Sequence, residues 1–141
     1  MSEKPTKSLP EPTPETAEYW AGCARHELLI QRCLACGTHQ FYPRLLCTAC
    51  SARTLKWVRA AGRGVIKSFT IVRRAVSDAY APDVPYVVAL IVLEEGPTMM
   101  SNVVGCDVGD VRIGMRVQVV FDDWPAGVSI PKFAPTGRQV A

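Results

Sequence analysis

The first periodic pattern along the chain predicts a helix over residues 15–29. Thr13 is suited to cap this helix, Pro14 to its first position, and Glu15 to the positive end of the helix dipole. Apolar side chains then recur at spacings of three and four, at Ala17, Trp20, Ala21, Ala24 and Leu28. Residues spaced in this way share one face of a helix. We therefore expect this apolar stripe to pack against another surface.

Strand patterns fill the second half of the chain. Residues 62–74 are rich in β-branched and aromatic side chains, and residues 86–93 form a continuous apolar run. Turn residues separate these from further strand-like segments at 98–104, 115–121 and 128–133. Five short strands in succession favour a small Greek-key barrel such as the OB-fold. The sequence predicts this barrel over residues 59–137.

Four of the six cysteines form two closely spaced pairs. The spacing is C-x2-C-x10-C-x2-C, and the residues are Cys33, Cys36, Cys47 and Cys50. Two residues between cysteines allow one tight turn to direct both sulfurs at a common point, and two such turns supply four thiolates. This set is typical of a structural zinc ion, and rubredoxin-type iron is the alternative that the same tetrahedron allows. Four cysteines leave no open position for a catalytic water, so we expect a zinc ribbon over residues 30–58.

The residue after each cysteine pair shapes the turn. Gly37 follows the first pair and suits the left-handed backbone that such turns often adopt, because it lacks a Cβ atom. Ser51 holds the equivalent place after the second pair and suits this conformation less well. This departure does not affect the four expected ligands.

Basic and acidic residues are unevenly distributed along the chain. The 16 Lys and Arg residues exceed the 13 Asp and Glu residues by three, but residues 28–77 contain nine basic residues and no acidic ones. The rest of the chain therefore has seven basic and thirteen acidic residues, a net charge of −6. Such segregation indicates contact with a polyanion, for which nucleic acid and a phosphorylated cofactor are the main classes. A purely solvated basic face is the third interpretation.

The sequence shows no familiar catalytic arrangement. His26 and His39 are the only histidines, one on the predicted helix and the other between the cysteine pairs. There is no G-x-S-x-G nucleophile motif, Walker-type phosphate loop or dinucleotide fingerprint. Cys23 and Cys106 lie far from the cysteine pairs, and we expect them to be small buried residues. We predict that the chain is not an enzyme on its own.

The hydropathy of the chain predicts a soluble, cytoplasmic protein. No segment approaches the roughly 18 consecutive apolar residues of a membrane span. The first fifteen residues lack the apolar core of a secretory signal. Residues 1–14 are rich in proline and predict a flexible arm, and residues 138–141 predict a short tail.

The order of these segments resembles one known family. A helix segment (TAEYWAGCARHELLIQRC) precedes the cysteine ribbon (CLACGTHQFYPRLLCTAC), and the barrel segments follow as LKWVRAAGRGVIKSFTIV, PYVVALIVLEEGP, IGMRVQVVF and FAPTG. This arrangement covers residues 13–137 and resembles the acyl-CoA-associated zinc-ribbon/OB-fold family, long classed as a domain of unknown function. The resemblance implies a mainly β fold with an N-terminal helix, a rubredoxin-like zinc ribbon and a C-terminal five-stranded OB-fold barrel.

The resemblance also implies a role in enzyme complexes. Proteins of this family are accessory subunits that assemble with thiolase-like aldolases, acyltransferases or thiolases, or with acyl-CoA hydratases. The partner supplies most of the catalytic residues, while the accessory subunit helps to bind the CoA thioester. Steroid side-chain degradation and other lipid degradation are the pathways that the resemblance implies.

Aromatic and basic residues are the candidates for these contacts. Trp20 on the helix and Phe41 and Tyr42 between the cysteine pairs form the predicted partner interface, because exposed aromatic side chains often anchor protein contacts. Arg44 and Arg63 are the predicted contacts for the CoA phosphates, since guanidinium groups bind phosphate oxygens. The alternative function is a nucleic-acid-binding zinc-ribbon/OB-fold module, which would use the same basic segment.

Overall fold

The helix and strands follow in the predicted order in the computed structural model, which describes residues 7–136. Within this range the helix, α1, covers Ala17–Ala24. The strands, β1 to β8, are Leu29–Cys33, His39–Gln40, Leu55–Arg59, Arg63–Val72, Tyr86–Leu93, Thr98–Val103, Arg116–Asp123 and Ser129–Pro135. Short 3-10 segments lie at Asp78–Asp83, Val108–Asp110 and Pro125–Gly127. The predicted tail and the first six residues of the predicted arm lie outside the described residues.

The strands form a small sheet and a closed barrel. The sheet is antiparallel, with β1 between β2 and β3, and it carries the cysteine pairs. The barrel has the strand order β4-β5-β6-β8-β7 and closes where β7 pairs with β4. β6 and β8 run parallel, with Val103 opposite Phe133, and the other barrel pairs are antiparallel. The predicted mainly β fold with a five-stranded OB-fold barrel is confirmed.

Alternate residues of the strands fill the barrel. In β5, Val87, Ala89, Ile91 and Leu93 are buried, and the residues between them are half-buried. Phe133 enters the same core from β8 and is fully buried. Because the second face of β5 is also largely covered, its sequence is a continuous apolar run instead of an alternating one.

The helix is shorter than the predicted span of 15–29. It ends where the backbone N–H groups of Arg25 and Glu27 both donate to the carbonyl oxygen of Gly22. His26 then adopts a positive φ of 61°, which turns the chain back on itself. The residues from Leu29 onward pair in the sheet, so the last part of the predicted helix is the turn into β1. Within residues 7–136, no helix is long and apolar enough to cross a membrane.

The face of α1 that packs against the protein also differs from the predicted stripe. Tyr19, Gly22 and Cys23 are buried, whereas the alanines of the stripe are exposed and Trp20 is half-buried. A Cβ atom on Gly22 would lie 2.7 Å from a β1 side chain, so the helix and the strand approach closely. Tyr19 and Cys23 take the inward positions because burying the ring of Tyr19 and the thiol of Cys23 removes more apolar surface from water than burying alanines.

Candidate metal centre and interaction groove

The two cysteine pairs converge on one point. All four Sγ atoms lie within 4.8 Å of one another, and they belong to Cys33, Cys36, Cys47 and Cys50. The sulfur of Cys33 is 3.6 Å from that of Cys50, and the other two facing sulfurs are also 3.6 Å apart. A tetrahedral site with Zn–S bonds of about 2.3 Å has sulfurs about 3.8 Å apart. The cluster therefore has the spacing that a single tetrahedral metal ion requires.

Two matching turns hold the sulfurs in this geometry. In the first turn, the N–H of Gly37 donates to the carbonyl of Cys33 at 2.8 Å. In the second turn, the N–H of Ser51 donates to the carbonyl of Cys47 at 2.9 Å. Gly37 and Ser51 have positive φ values of 78° and 66°. Ser51 thus adopts the left-handed conformation in spite of its Cβ atom, and the two turns are equivalent.

Hydrogen bonds within the cluster favour a thiolate ligand. The backbone N–H of Cys36 and the hydroxyl of Thr54 lower the pKa of Cys33 to about 6. The N–H of Ala49 donates to the Sγ of Cys47 at 3.3 Å. Because metal ions bind the thiolate form of cysteine, the lowered pKa of Cys33 favours its coordination.

Two buried glutamines fix the loop between the cysteine pairs. The side-chain amide of Gln40 donates to Oε1 of Gln31 at 2.9 Å. Gln31 also accepts from the N–H of Arg44 and donates to its carbonyl, both at 3.0 Å. Buried amides are costly unless they are bonded, so this network holds residues 41–46 in one conformation. Sequence reasoning missed both glutamines, because polar residues in a strand pattern resemble solvent-facing positions.

The three predicted interface aromatics meet beside this loop. Edge-to-face contacts link the rings in the order Trp20, Tyr19, Phe41 and Tyr42, with centroid distances of 4.9, 5.5 and 5.0 Å. Tyr19 and Phe41 are buried, Trp20 is half-buried, and Tyr42 is 52% exposed. The buried rings of Tyr19 and Phe41 therefore join the helix to the ribbon, while Trp20 and Tyr42 remain accessible to solvent.

A groove of about 460 Å³ opens beside these rings, and we call it the aromatic groove. It lies between α1, the loop after β2 and the barrel, and its walls include Trp20, Phe41, Tyr42, Pro43, Met100, Ile130 and Pro131. The side chain of Met100 is 58% exposed there. An exposed apolar surface of this kind is typical of a site that binds another protein or an apolar ligand.

The two predicted phosphate-binding arginines lie in different surroundings. Arg44 is exposed, follows Pro43 of the groove wall, and takes part in none of the ion pairs among residues 7–136. Arg63, at the start of β4, forms a two-point ion pair with Glu94, whose second contact is 3.2 Å long. This hydrogen-bonded pair holds the pKa of Glu94 below its ordinary value. Arg63 does not line the aromatic groove, so the structure does not bring the two arginines into one site.

Basic side chains lie in register across the three-stranded sheet. Arg32 of β1 lies opposite His39 of β2 and Lys56 of β3. Arg32 and Lys56 are exposed, and neither takes part in an ion pair within the described part of the chain. Arg32 and Lys56 thus place part of the basic segment on one face of the ribbon sheet. Like charges directly opposite each other are unfavourable in a sheet.

Other residues singled out from the sequence are largely structural. Trp57 and Phe69, the aromatics nearest the basic segment, are half-buried and pack against the core. Their rings therefore offer little of the open face that base stacking needs. Cys23 is fully buried, and burial raises its pKa to about 11. Cys106, also predicted to be a buried residue, is half-buried.

His26 ties the end of α1 to the barrel. Its Nε2 lies 2.7 Å from Oδ1 of Asp123, and its ring stacks on Phe121 with centroids 5.1 Å apart. The hydroxyl of Ser129 donates to the same carboxylate oxygen. Serine and histidine thus both contact the carboxylate, whereas nucleophile activation requires a direct contact between serine and histidine. The group therefore joins structural elements that are far apart in sequence.

Comparison with known proteins matches both the ribbon and the barrel. Residues 20–56 match the ChsH2 rubredoxin-like zinc ribbon domain, and residues 57–122 match the ChsH2 C-terminal OB-fold domain. A solved structure described as the Ltp2-ChsH2(DUF35) aldolase superposes with a TM-score of 0.82 at 30% sequence identity. The superposition covers 92% of this chain and 100% of that chain.

Two curated relatives extend the comparison. A DUF35 domain-containing scaffold protein of Methanothermobacter thermautotrophicus is 34% identical over 109 residues, which are 76% of this chain and 81% of the relative. A probable enoyl-CoA hydratase alpha subunit of Thermomonospora curvata is 31% identical over 139 residues, or 97% of this chain. The chain spans only 43% of the length of that hydratase subunit. Since these matches include the cysteine ribbon and the barrel together, the chain belongs to the ChsH2-type (DUF35) zinc-ribbon/OB-fold family.

Proposed function

We propose that this protein is a non-catalytic accessory subunit that assembles with a thiolase-like or acyl-CoA hydratase partner and helps to bind the CoA thioester. The aromatic groove carries this proposal, because Trp20, Phe41 and Tyr42 converge there from the helix and the ribbon. The family supports it, since relatives are named as a hydratase alpha subunit and as part of an aldolase. Steroid side-chain or other lipid degradation is the pathway setting that we propose.

The surface around the aromatic groove has the properties of a protein interface. Trp20 and Tyr42 expose part of their rings, and aromatic residues of this kind often dominate binding energy. On the same helix Ala17, Ala21 and Ala24 are exposed. Small side chains next to a large ring allow a partner helix or strand to approach closely. We therefore assign the partner to the groove and the outer face of α1.

The ribbon carries positive charge, and the neighbouring aromatic groove has apolar walls. The guanidinium of Arg44 is outside the ion pairs of the described residues, and Arg32 and Lys56 lie on one face of the ribbon sheet. CoA carries phosphate groups that such side chains bind and an apolar acyl chain that a groove shelters. Arg63 is the weaker candidate, because a phosphate would have to displace Glu94.

The metal in this proposal is a structural zinc ion. The four thiolates that would hold it are those of Cys33, Cys36, Cys47 and Cys50. A bound zinc ion would cross-link the two turns. Because four cysteines fill its coordination sphere, no position would remain for water. The ribbon residues themselves place the loop of residues 41–46 beside α1, which is their contribution to the interface.

Titration with a purified partner tests the interface. A purified thiolase-like or acyl-CoA hydratase subunit serves as the candidate partner, and isothermal calorimetry measures its affinity. Trp20→Ala should weaken association by about 2 kcal/mol, as expected for a hot-spot residue, and should leave the metal content unchanged. Ile113→Ala, which shortens a 70% exposed side chain that does not line the groove, is the matched control. Equal partner affinity of Trp20→Ala and the wild type would exclude this interface.

Titration of the assembled complex with CoA tests the substrate role. Arg44→Ala should lower CoA affinity about tenfold, the loss expected for one hydrogen bond to a charged group. Arg73→Ala removes an exposed arginine from the loop after β4 and should have no effect. The isolated chain should not turn over acyl-CoA substrates. If it binds a single-stranded oligonucleotide more tightly than CoA at equal salt concentration, the nucleic-acid function replaces this proposal.

A further inference from the structure

A second pocket lies on the barrel next to the aromatic groove. It has a volume of about 490 Å³, and the two cavities share Asn102 and Ile130 in their walls. Tyr80, from the 3-10 segment Asp78–Asp83, and Trp124, after β7, contribute aromatic rings to it. Asp83 and Asp122 also line it with their carboxylates. Two aromatic rings with nearby carboxylates are the surroundings that bind a cation.

The side chain of Lys7 already occupies this pocket. Its Nζ lies 2.5 Å from Oδ2 of Asp83, 5.0 Å from the ring centroid of Tyr80 and 5.3 Å from that of Trp124. Both ring distances are within the ~6 Å range of cation–π attraction. The Lys7 side chain is only 25% exposed, and its contact with Asp83 raises its pKa. A segment that the sequence predicts to be flexible thus places a lysine among three partners.

The walls of this pocket are held by contacts of their own. The indole N–H of Trp124 donates to Oδ2 of Asp122 at 2.9 Å, and Lys132 forms an ion pair with the same oxygen at 2.8 Å. Asp122 is therefore occupied by the barrel itself. Asp83 is therefore the carboxylate of this pocket that is available to bind a cation. Its only ion pair among the described residues is with Lys7.

We propose that this pocket is a lysine-binding site whose ligand is the chain's own Lys7, and that residues 7–14 form a strap fastened to the barrel. The ligand class is a primary ammonium group on a flexible alkyl stem, which fits between two rings and reaches one carboxylate. The strap leads through residues 15–16 into α1, so the contact of Lys7 restricts the path by which the chain reaches the helix that carries Trp20. This inference concerns a different pocket and does not depend on the proposed CoA role.

Trypsin provides a direct test, because it must take the lysine side chain into its own pocket to cut. The bond after Lys7 is open to cleavage, whereas the bond after Lys4 precedes a proline and resists trypsin. The rate at which the peptide ending at Lys7 appears is followed by mass spectrometry. It is divided by the rate of cleavage at the exposed arginines 73 and 74 of the same molecule. Asp83→Asn should raise this ratio about fivefold, since it removes the carboxylate that holds the ammonium.

Two further variants make the result specific to the pocket. Tyr80→Leu keeps the carboxylate but removes one ring, and it should raise the ratio about threefold. Asp78→Asn changes an exposed carboxylate of the same 3-10 segment and should behave as the wild type. Equal ratios for the wild type, Asp83→Asn and Tyr80→Leu would overturn the proposal. A wild-type ratio that rises on dilution would also overturn it, because the lysine would then come from a second copy of the chain.

Discussion

Two glycines at the start of β4, Gly62 and Gly64, lie where the barrel leaves no room for a side chain. Gly64 pairs with β5 so closely that a Cβ atom there would lie 2.6 Å from the side chain of Ile91 and 2.7 Å from the carbonyl oxygen of Val92. A carbonyl oxygen in a sheet cannot move aside without breaking strand pairing. Gly62 is constrained in a second way, because its φ is 82° and its Cβ would meet Val119 at 2.5 Å. The two glycines of the Gly-Arg-Gly sequence are therefore required for the close packing of β4 in the barrel.

Gly64→Ala should lower the free energy of unfolding by about 2 kcal/mol, because the added methyl group overpacks a backbone contact. Urea denaturation of the purified protein measures this change. Gly109→Ala is the matched control, since no atom lies within 4 Å of its added Cβ, and it should stay within about 0.5 kcal/mol of the wild type. Equal stability of the two variants would show that β4 and β5 are not in close contact here.

At the scale of one element, α1 presents two faces with different tasks. Tyr19 and Cys23 are four residues apart, so they lie on one side of the helix and both are buried. Trp20 is turned about 100° from Tyr19 and reaches the aromatic groove. The helix therefore stabilises the fold with one aromatic residue and offers the next one to the surface.

Tyr19→Ala should destabilise the isolated protein by about 3 kcal/mol, as expected when a large buried ring is removed. Trp20→Ala should cost about 1 kcal/mol, since its ring is only partly buried. Thermal and urea denaturation of both variants, without any partner, separates the two roles. If Trp20→Ala unfolds the protein while the folded fraction binds the partner normally, the ring belongs to the core and the proposed interface is wrong.

At the scale of the whole molecule, the ribbon and the barrel differ in what stabilises them. The barrel has an apolar interior in which Ile91 and Phe133 are fully buried, and its sheet is closed. The ribbon has three short strands and a four-cysteine cluster. A module of this size buries too little apolar surface to fold without a metal ion, which supplies on the order of 10 kcal/mol. Links such as the N–H of Ala60 donating to the carbonyl of Leu28 at 2.8 Å connect the two parts.

Metal removal should therefore unfold the ribbon before the barrel. Purified protein should contain about one zinc ion per chain by elemental analysis, and a chelator should abolish hydrogen-exchange protection in β1 and β3 while β5 stays protected. Cys36→Ser should lose the metal, whereas Cys106→Ser, outside the cluster, should keep it. Freshly prepared, reduced protein that contains neither zinc nor iron would contradict the assignment of the cluster.

Short-range patterns in the sequence were sufficient for the order of elements and for the four-cysteine cluster. The cysteine spacing defines two local turns, and each turn is closed by a hydrogen bond between residues four apart. The apolar run at Tyr86–Leu93 coincides with β5, because a strand covered on both faces needs only apolar residues. The cluster and the barrel could be predicted because the relevant interactions lie within a few residues or repeat with a fixed period.

Contacts between distant residues were decided only by the tertiary structure. His26 meets Asp123 across 97 positions, and Arg63 meets Glu94 across 31, and no local pattern marks either pair. Because Arg63 is paired with Glu94, it is a weaker candidate for phosphate binding than Arg44. The inward face of α1 depends on how closely Gly22 approaches β1, which no periodic pattern shows. Sequence periodicity shows which side chains share a surface, whereas the choice of neighbour follows from the packing of the whole chain.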